Sequence, residues 1–188
     1  MKKRFIAAIC SIILVTALTG CTKGKDANVG QVEKPNIENK SKDDKPSIED
    51  RKLRVYFFNT AELKHYYINK TISVDESDII GVLTKELQNN SYNKDFLSLT
   101  DKVEIKSAKI DETTGVLKVV FSDSYVDHMT LGSNTESGLL TSLIATYGFN
   151  LGVDKIAIYF NDEPYIGLGE LPKGYFTVEE PKAEIYKP

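Results

Sequence analysis

The sequence has no tryptophan, only two histidines and only two cysteines among its 188 residues. Each shortage removes a class of chemistry. Cys10 lies inside an apolar N-terminal run that reads as a cleaved secretory signal, so the mature chain is expected to keep Cys21 alone. That excludes a disulfide scaffold, a cysteine-ligated zinc and a cysteine nucleophile. Neither histidine, His65 or His128, belongs to a His-x-x-x-His or Gly-x-Ser-x-Gly pattern. Net charge is −3 with both signs mixed along the chain, so there is no basic stripe for a nucleic acid. No glycine-rich loop has phosphate-binding spacing. Nor does any apolar run reach the roughly 20 residues that a membrane-spanning helix needs.

What is present begins at the N-terminus. Lys2, Lys3 and Arg4 precede an apolar run from Phe5 to Leu18, broken only by Ser11 and Thr16, and Leu18-Thr19-Gly20-Cys21 follows. A charged start, a short apolar core and small residues describe a signal peptide over residues 1–20. The ending resembles the lipobox of bacterial lipoproteins. The resemblance implies that the Cys21 thiol takes the lipid and becomes the first mature residue. The chain would then be anchored at the outer, extracytoplasmic face of the cell membrane.

Residues 21–51 read as a flexible polar linker. From Thr22 to Asp50 there is no aromatic residue, and lysines alternate with acids around Pro35 and Pro46. Such a stretch cannot bury enough apolar surface to offset its ordering entropy. As a coil its ends lie roughly 30 Å apart.

The folded domain is expected over residues 52–188, with its core at about 53–168. Leu53 to Phe58 and Lys64 to Val74 have strand-favouring residues in alternation. Asp75-Glu76-Ser77-Asp78 has the form of a capping box opening a helix with Ile79, Ile80, Leu83 and Leu87 on one stripe. Val103 to Ile110 and Val116 to Phe121 form a hairpin around Gly115. Ser133-Asn134-Thr135-Glu136 has the form of a second capping box. Its helix buries Leu139, Leu140, Leu143, Ile144 and Tyr147 and ends at Gly148. Val153 to Phe160 is the last long strand, and Tyr165-Ile166 returns as an edge strand. This order predicts an α+β two-layer sandwich, one mixed β-sheet with two helices on one face.

Three stretches of this order, LRVYFFN, KSAKIDETTGVLKVVFSDSY (Lys106 to Tyr125) and SGLLTSLIATYGFNLGVDKIAIYFNDE (Ser137 to Glu163), resemble the GerMN domain of sporulation and spore-germination lipoproteins. The similarity covers about residues 52–170. One copy of the domain is visible, whereas the namesake germination lipoprotein carries two. The resemblance implies a non-enzymatic module of envelope assemblies and supplies no catalytic residue, metal or cofactor.

Two places remain as candidate sites. Asp123, Ser124, Asp127 and His128 follow a strand. They have the residue types of a metal site or nucleophilic pair, but no partner elsewhere; turn-capping in a solvated loop explains them as well. Tyr56, Phe58, Tyr66 and Tyr67 crowd the first two strands. If helices cover one sheet face only, alternate members face outward and form a contact surface. The expected function is protein interaction with envelope proteins. The alternative is binding of cell-wall glycan or a small ligand, and an envelope hydrolase is a third.

Overall fold

A computed structural model describes residues 48–169, 171 and 173–187. The expected signal peptide, Cys21 and all but the last residues of the expected linker lie outside the described residues. The elements run β1 (Ile48–Asn59), β2 (Lys64–Asp75), a 3-10 turn (Glu76–Asp78), α1 (Ile79–Gln88), β3 (Phe96–Leu97), β4 (Ile105–Asp111), β5 (Val116–Phe121), α2 (Tyr125–His128), α3 (Ser133–Leu151), β6 (Lys155–Phe160), β7 (Glu163–Pro164), β8 (Phe176–Thr177) and β9 (Ala183–Ile185). Strand β1 thus starts before Leu53, taking in residues read as linker.

The α+β class holds, but the strands form two sheets rather than one. The first has the order β3-β1-β2-β9, and the second β4-β5-β6-β7 with β8 also on β6. In the first, β1 and β2 are antiparallel along their whole length, from Ile48↔Asp75 to Asn59↔Lys64. In the second, β5 and β6 are parallel and joined through α2 and α3.

Helix α3 is what divides the sheets. It runs along the edge of β1 that faces away from β2. There the Arg54 amide donates to Asn150 Oδ1 at 2.9 Å, and Asn150 Nδ2 donates to the Arg54 carbonyl at 2.7 Å. Two residues on, the Tyr56 amide donates to Thr146 Oγ1 at 2.9 Å. At the next position the same edge is taken by β3, with Phe58 opposite Leu97. A buried strand edge must satisfy its peptide groups. Here helix side chains do so where a further strand would otherwise pair.

The helix is accordingly enclosed on nearly all sides, and the run from Ser142 to Gly148 is buried without interruption. Leu139, Leu143 and Tyr147 face a core shared with Leu83 and Leu87 of α1, Leu53, Val55 and Phe57 of β1, and Leu117, Val119, Ile156 and Ile158 of the second sheet. These are most of the positions that helical and strand periodicity select. A hydroxyl pair, Thr84 Oγ1 and Tyr147 Oη at 2.8 Å, joins α1 to α3 inside this core.

Both expected capping boxes turn out differently. Asp75 Oδ1 accepts from the Ser77 amide at 2.9 Å, which closes the 3-10 turn, while Asp78 makes no cap bond. Helix α3 begins at Ser133 after Gly132, and Glu136 is drawn inward to accept from Tyr165 Oη at 2.6 Å. A half-buried phenol competes for that carboxylate more strongly than a solvated helix end. Gly148 is inside the helix, where a Cβ would collide with Val178. The left-handed cap falls to Gly152, at φ 64°.

Thr146→Val leaves the buried Tyr56 amide without an acceptor. Differential calorimetry should show a loss of about 1–3 kcal/mol. Asn150→Leu should lose a similar amount, and Leu143→Ala about 2–5 kcal/mol through the cavity it opens. An unchanged melting temperature in both Thr146→Val and Asn150→Leu would remove α3 from its place as the edge of the first sheet.

Candidate functional site

Side chains alternate across β1, and the two faces meet different surroundings. Phe57 and its partner Tyr66 face the core side, with Phe96 stacked on Phe57 at 5.4 Å and Tyr186 standing edge-on to Phe96 at 4.9 Å. Tyr66 is half-buried, and its hydroxyl donates to Glu62 at 2.8 Å. Tyr56, Phe58, Tyr67 and His65 share the opposite face. The sequence suggested that this face is open. It is not, because α3 packs over part of it. Tyr56 is 0% and Phe58 6% exposed, so neither forms an outer surface. Phe58 lies against Gly138 of α3. His65 Nε2 is 3.2 Å from the Gly138 carbonyl, and burial holds the His65 pKa below its ordinary value.

Tyr66 and Tyr67 are both half-buried, and Tyr67 lies in a solvent-facing constellation. The Arg54 guanidinium carbon lies 4.4 Å from the Tyr67 ring centroid and 4.2 Å from that of Phe149, so the cation is held between two rings. Arg54 Nη1 donates to Glu180 Oε1 at 2.8 Å, and Tyr56 Oη donates to the same oxygen at 2.7 Å. Burial pushes the Tyr56 phenol up to about 12, so it remains a donor. Its hydrogen bond with Tyr56 and the nearby Glu180 raise the Arg54 pKa further, and the cation is permanent. Phe149 is 47% exposed. It stands between two hollows. One of about 580 Å3 is lined by Lys52, Arg54, Asn69 and Thr71; the other, of about 290 Å3, by Tyr56, Gly148, Val178 and Glu180.

Phe149 and Glu180 were not legible as site residues. A helix ending at Gly148 leaves Phe149 in a loop, whereas the helix continues to Leu151 and fixes its direction. Glu180 lies beyond the expected core, in a C-terminal segment with no apolar periodicity.

The loop after β5 forms the short helix α2. His128 Nε2 meets Asp123 Oδ2 at 2.9 Å, and this contact holds the Asp123 carboxyl below the usual carboxylate range. Asp123 also accepts from the Ser124 amide at 2.8 Å. Asp127 and Ser124 do not join the pair. Among the described residues, no three His, Cys, Asp or Glu side chains gather as metal ligands. Two further acids are engaged locally: Glu62 by Tyr66, and Glu86 by Lys70 at 2.9 Å and by Tyr92.

The chain is similar to several proteins of solved structure. The tandem GerMN domains of the sporulation protein GerM from Bacillus subtilis are 24% identical, over 61% of this chain and 40% of that one, with a TM-score of 0.47. The chain therefore spans less than half of that tandem structure. The first GerMN domain of the same protein is 14% identical over 70% of this chain and 96% of that one, with a TM-score of 0.46. A protein from Clostridium perfringens described as a lipoprotein is 21% identical over 68% of this chain and 87% of that one, with a TM-score of 0.42. No curated protein matches the chain. A family model, Germane, described as sporulation and spore germination, matches residues 54–166. That match runs from Arg54 on β1 past β7, over more than half of the chain, and the chain belongs to the Germane family of sporulation and spore-germination proteins.

Proposed function

We propose that the chain is a non-enzymatic, lipid-anchored interaction module at the extracytoplasmic face of the membrane, where it joins an envelope assembly of sporulation or germination. The observation that carries this reading is the Arg54 cation held between Tyr67 and the half-exposed ring of Phe149. Arginine and aromatic side chains dominate the energetics of protein contacts, since they bury large areas and keep polar tips. A guanidinium already stacked on two rings loses little further freedom on binding. Family membership and the Leu18-Thr19-Gly20-Cys21 sequence support the setting.

One observation favours the glycan alternative. The hollow of about 580 Å3 has an aromatic wall in Phe149 and hydrogen-bonding side chains in Asn69 and Thr71, the furnishings of a sugar site. The hydrolase reading rests on the Asp123–His128 pair, which the side chains of Ser124 and Asp127 do not join.

Cys21→Ala should abolish incorporation of labelled fatty acid; a variant that still takes up label sinks the lipoprotein assignment. Phe149→Ala and Tyr67→Ala should keep the circular dichroism of the parent yet lose about tenfold or more in partner retention from native membranes, the loss expected of a contact hot spot. Asp127→Ala with His128→Ala should retain the partner and the phenotype of the parent. If instead that pair fails while Phe149→Ala and Tyr67→Ala behave normally, the function lies in the loop after β5. Direct binding of peptidoglycan fragments that Phe149→Ala removes would favour the glycan reading.

A further inference from the structure

The second sheet ends in β4, and among the described residues β4 pairs with β5 alone. Every residue of β4 except Ile105 is exposed. Within the β4–β5 hairpin the Asp111 carbonyl accepts from the Gly115 amide at 2.8 Å, which turns Asp111 toward β5. Backbone groups alternate in an antiparallel ladder, so the peptide groups of Ala108 and Ile110 point away from β5, into the open. Edges of this kind accept an added strand unless something blocks them.

The side chains beside that edge are not those of a solvated strand. Ile105, Ala108 and Ile110 stand opposite Phe121, Val119 and Leu117, and so belong to the core-facing side of the sheet. Ile110 is nonetheless 41% exposed. Helix α1 lies alongside instead of over them. Between it and β4 runs a groove of about 410 Å3, walled by Ile80, Gly81 and Thr84 on the helix and by Val103, Ile105 and Ala108 opposite. Gln88 Nε2 donates to the Thr100 and Val103 carbonyls, both at 2.9 Å, which pins the helix end to the segment leading into β4. The groove is therefore held open by fixed elements. Its rim is acidic: among the described residues, Asp78, Asp101 and Glu104 line it against one cation, Lys85. None of these three carboxylates is in an ion pair with a described residue.

We propose that this groove and the free edge of β4 take up an extended segment of a partner protein as an added strand. The segment carries apolar side chains at alternate positions, which pack beside Ile105, Ala108 and Ile110, and a lysine or arginine that meets the carboxylates of Asp78, Asp101 and Glu104. Strand addition beside a helix gives affinity through the backbone and selectivity through alternate side chains. The outward lysines Lys106 and Lys109 deter indiscriminate edge pairing, so the matched charge in the groove sets the choice of partner. This surface lies apart from the Arg54–Phe149 constellation and is independent of it.

The test uses the full-length chain, immobilised and panned with a phage-displayed library of short random peptides. Enrichment of sequences that alternate apolar residues and contain lysine or arginine is expected. Synthetic copies of the enriched peptides should bind the parent, weaken on adding salt, and lose about tenfold or more, equivalent to about 1.4 kcal/mol, against Ala108→Pro, which removes an outward amide without touching the β5 ladder. The surface variant Asp101→Lys with Glu104→Lys should give a similar loss while the melting temperature stays that of the parent. Phe149→Ala should bind these peptides normally, which separates this proposal from the one before it. Failure to enrich any such sequence, or peptides that bind Ala108→Pro and the charge-reversed variant as well as the parent, would overturn it.

Discussion

The peptide groups of Arg54 and Tyr56 turn away from β2, and in a buried strand they require partners. Asn150 and Thr146 provide them from α3. Asn150 does so through both atoms of its amide, copying the donor and acceptor of a neighbouring strand. The rest of the architecture follows from this. A helix occupying a strand position cannot lie flat on the sheet, so it is surrounded by protein and its burial is nearly continuous from Ser142 to Gly148. It also interrupts the ladder, leaving β4, β5 and β6 to form their own sheet on its far side. A single threonine-to-valine change at such a point would remove about as much stability as a lost core methyl or more, because a stranded buried amide pays the full desolvation penalty.

The C-terminal segment completes what α3 begins. The Val178 amide donates to the Asp154 carbonyl at 2.9 Å, β9 pairs in parallel with β2, and the Tyr186 amide donates to the Tyr67 carbonyl at 2.9 Å. This strap carries Glu180 to Arg54 and Tyr56. It lies outside the residues matched by the family model, which end at 166. The domain of the family therefore supplies Arg54, Tyr67 and Phe149, while the carboxylate that orients the arginine comes from beyond it.

Charge is used locally throughout. Arg54 is neutralised by Glu180 and shielded by two rings, and Lys70 is paired with Glu86. Exposed pairs of this kind contribute little to stability, typically under about 1 kcal/mol. Their effect here is directional: they fix side chains in one geometry beside open surfaces. The acidic rim of the α1–β4 groove stands out by contrast, because its carboxylates form no ion pair with a described residue.

Periodicity and turn chemistry in the sequence determined most of the elements. The stripes Ile79, Leu83, Leu87 and Leu139, Leu143, Tyr147 are buried as their spacing demands, and the Asp111 to Gly115 turn closes its hairpin with glycine at φ 68°. These are local properties, set by 3.6-residue and two-residue repeats and by the one residue type that tolerates a positive φ. Tertiary structure alone decided the rest. Whether Tyr56 and Phe58 are surface or core depends on which side α3 takes, and no alternation pattern distinguishes an outward face from one covered by a distant helix. Glu136 has the sequence position of a cap, but a phenol 29 residues away claims it. Arg54, Phe149 and Glu180 come from three distant points of the chain. Their assembly rests on long-range packing, which leaves no periodic trace in the sequence.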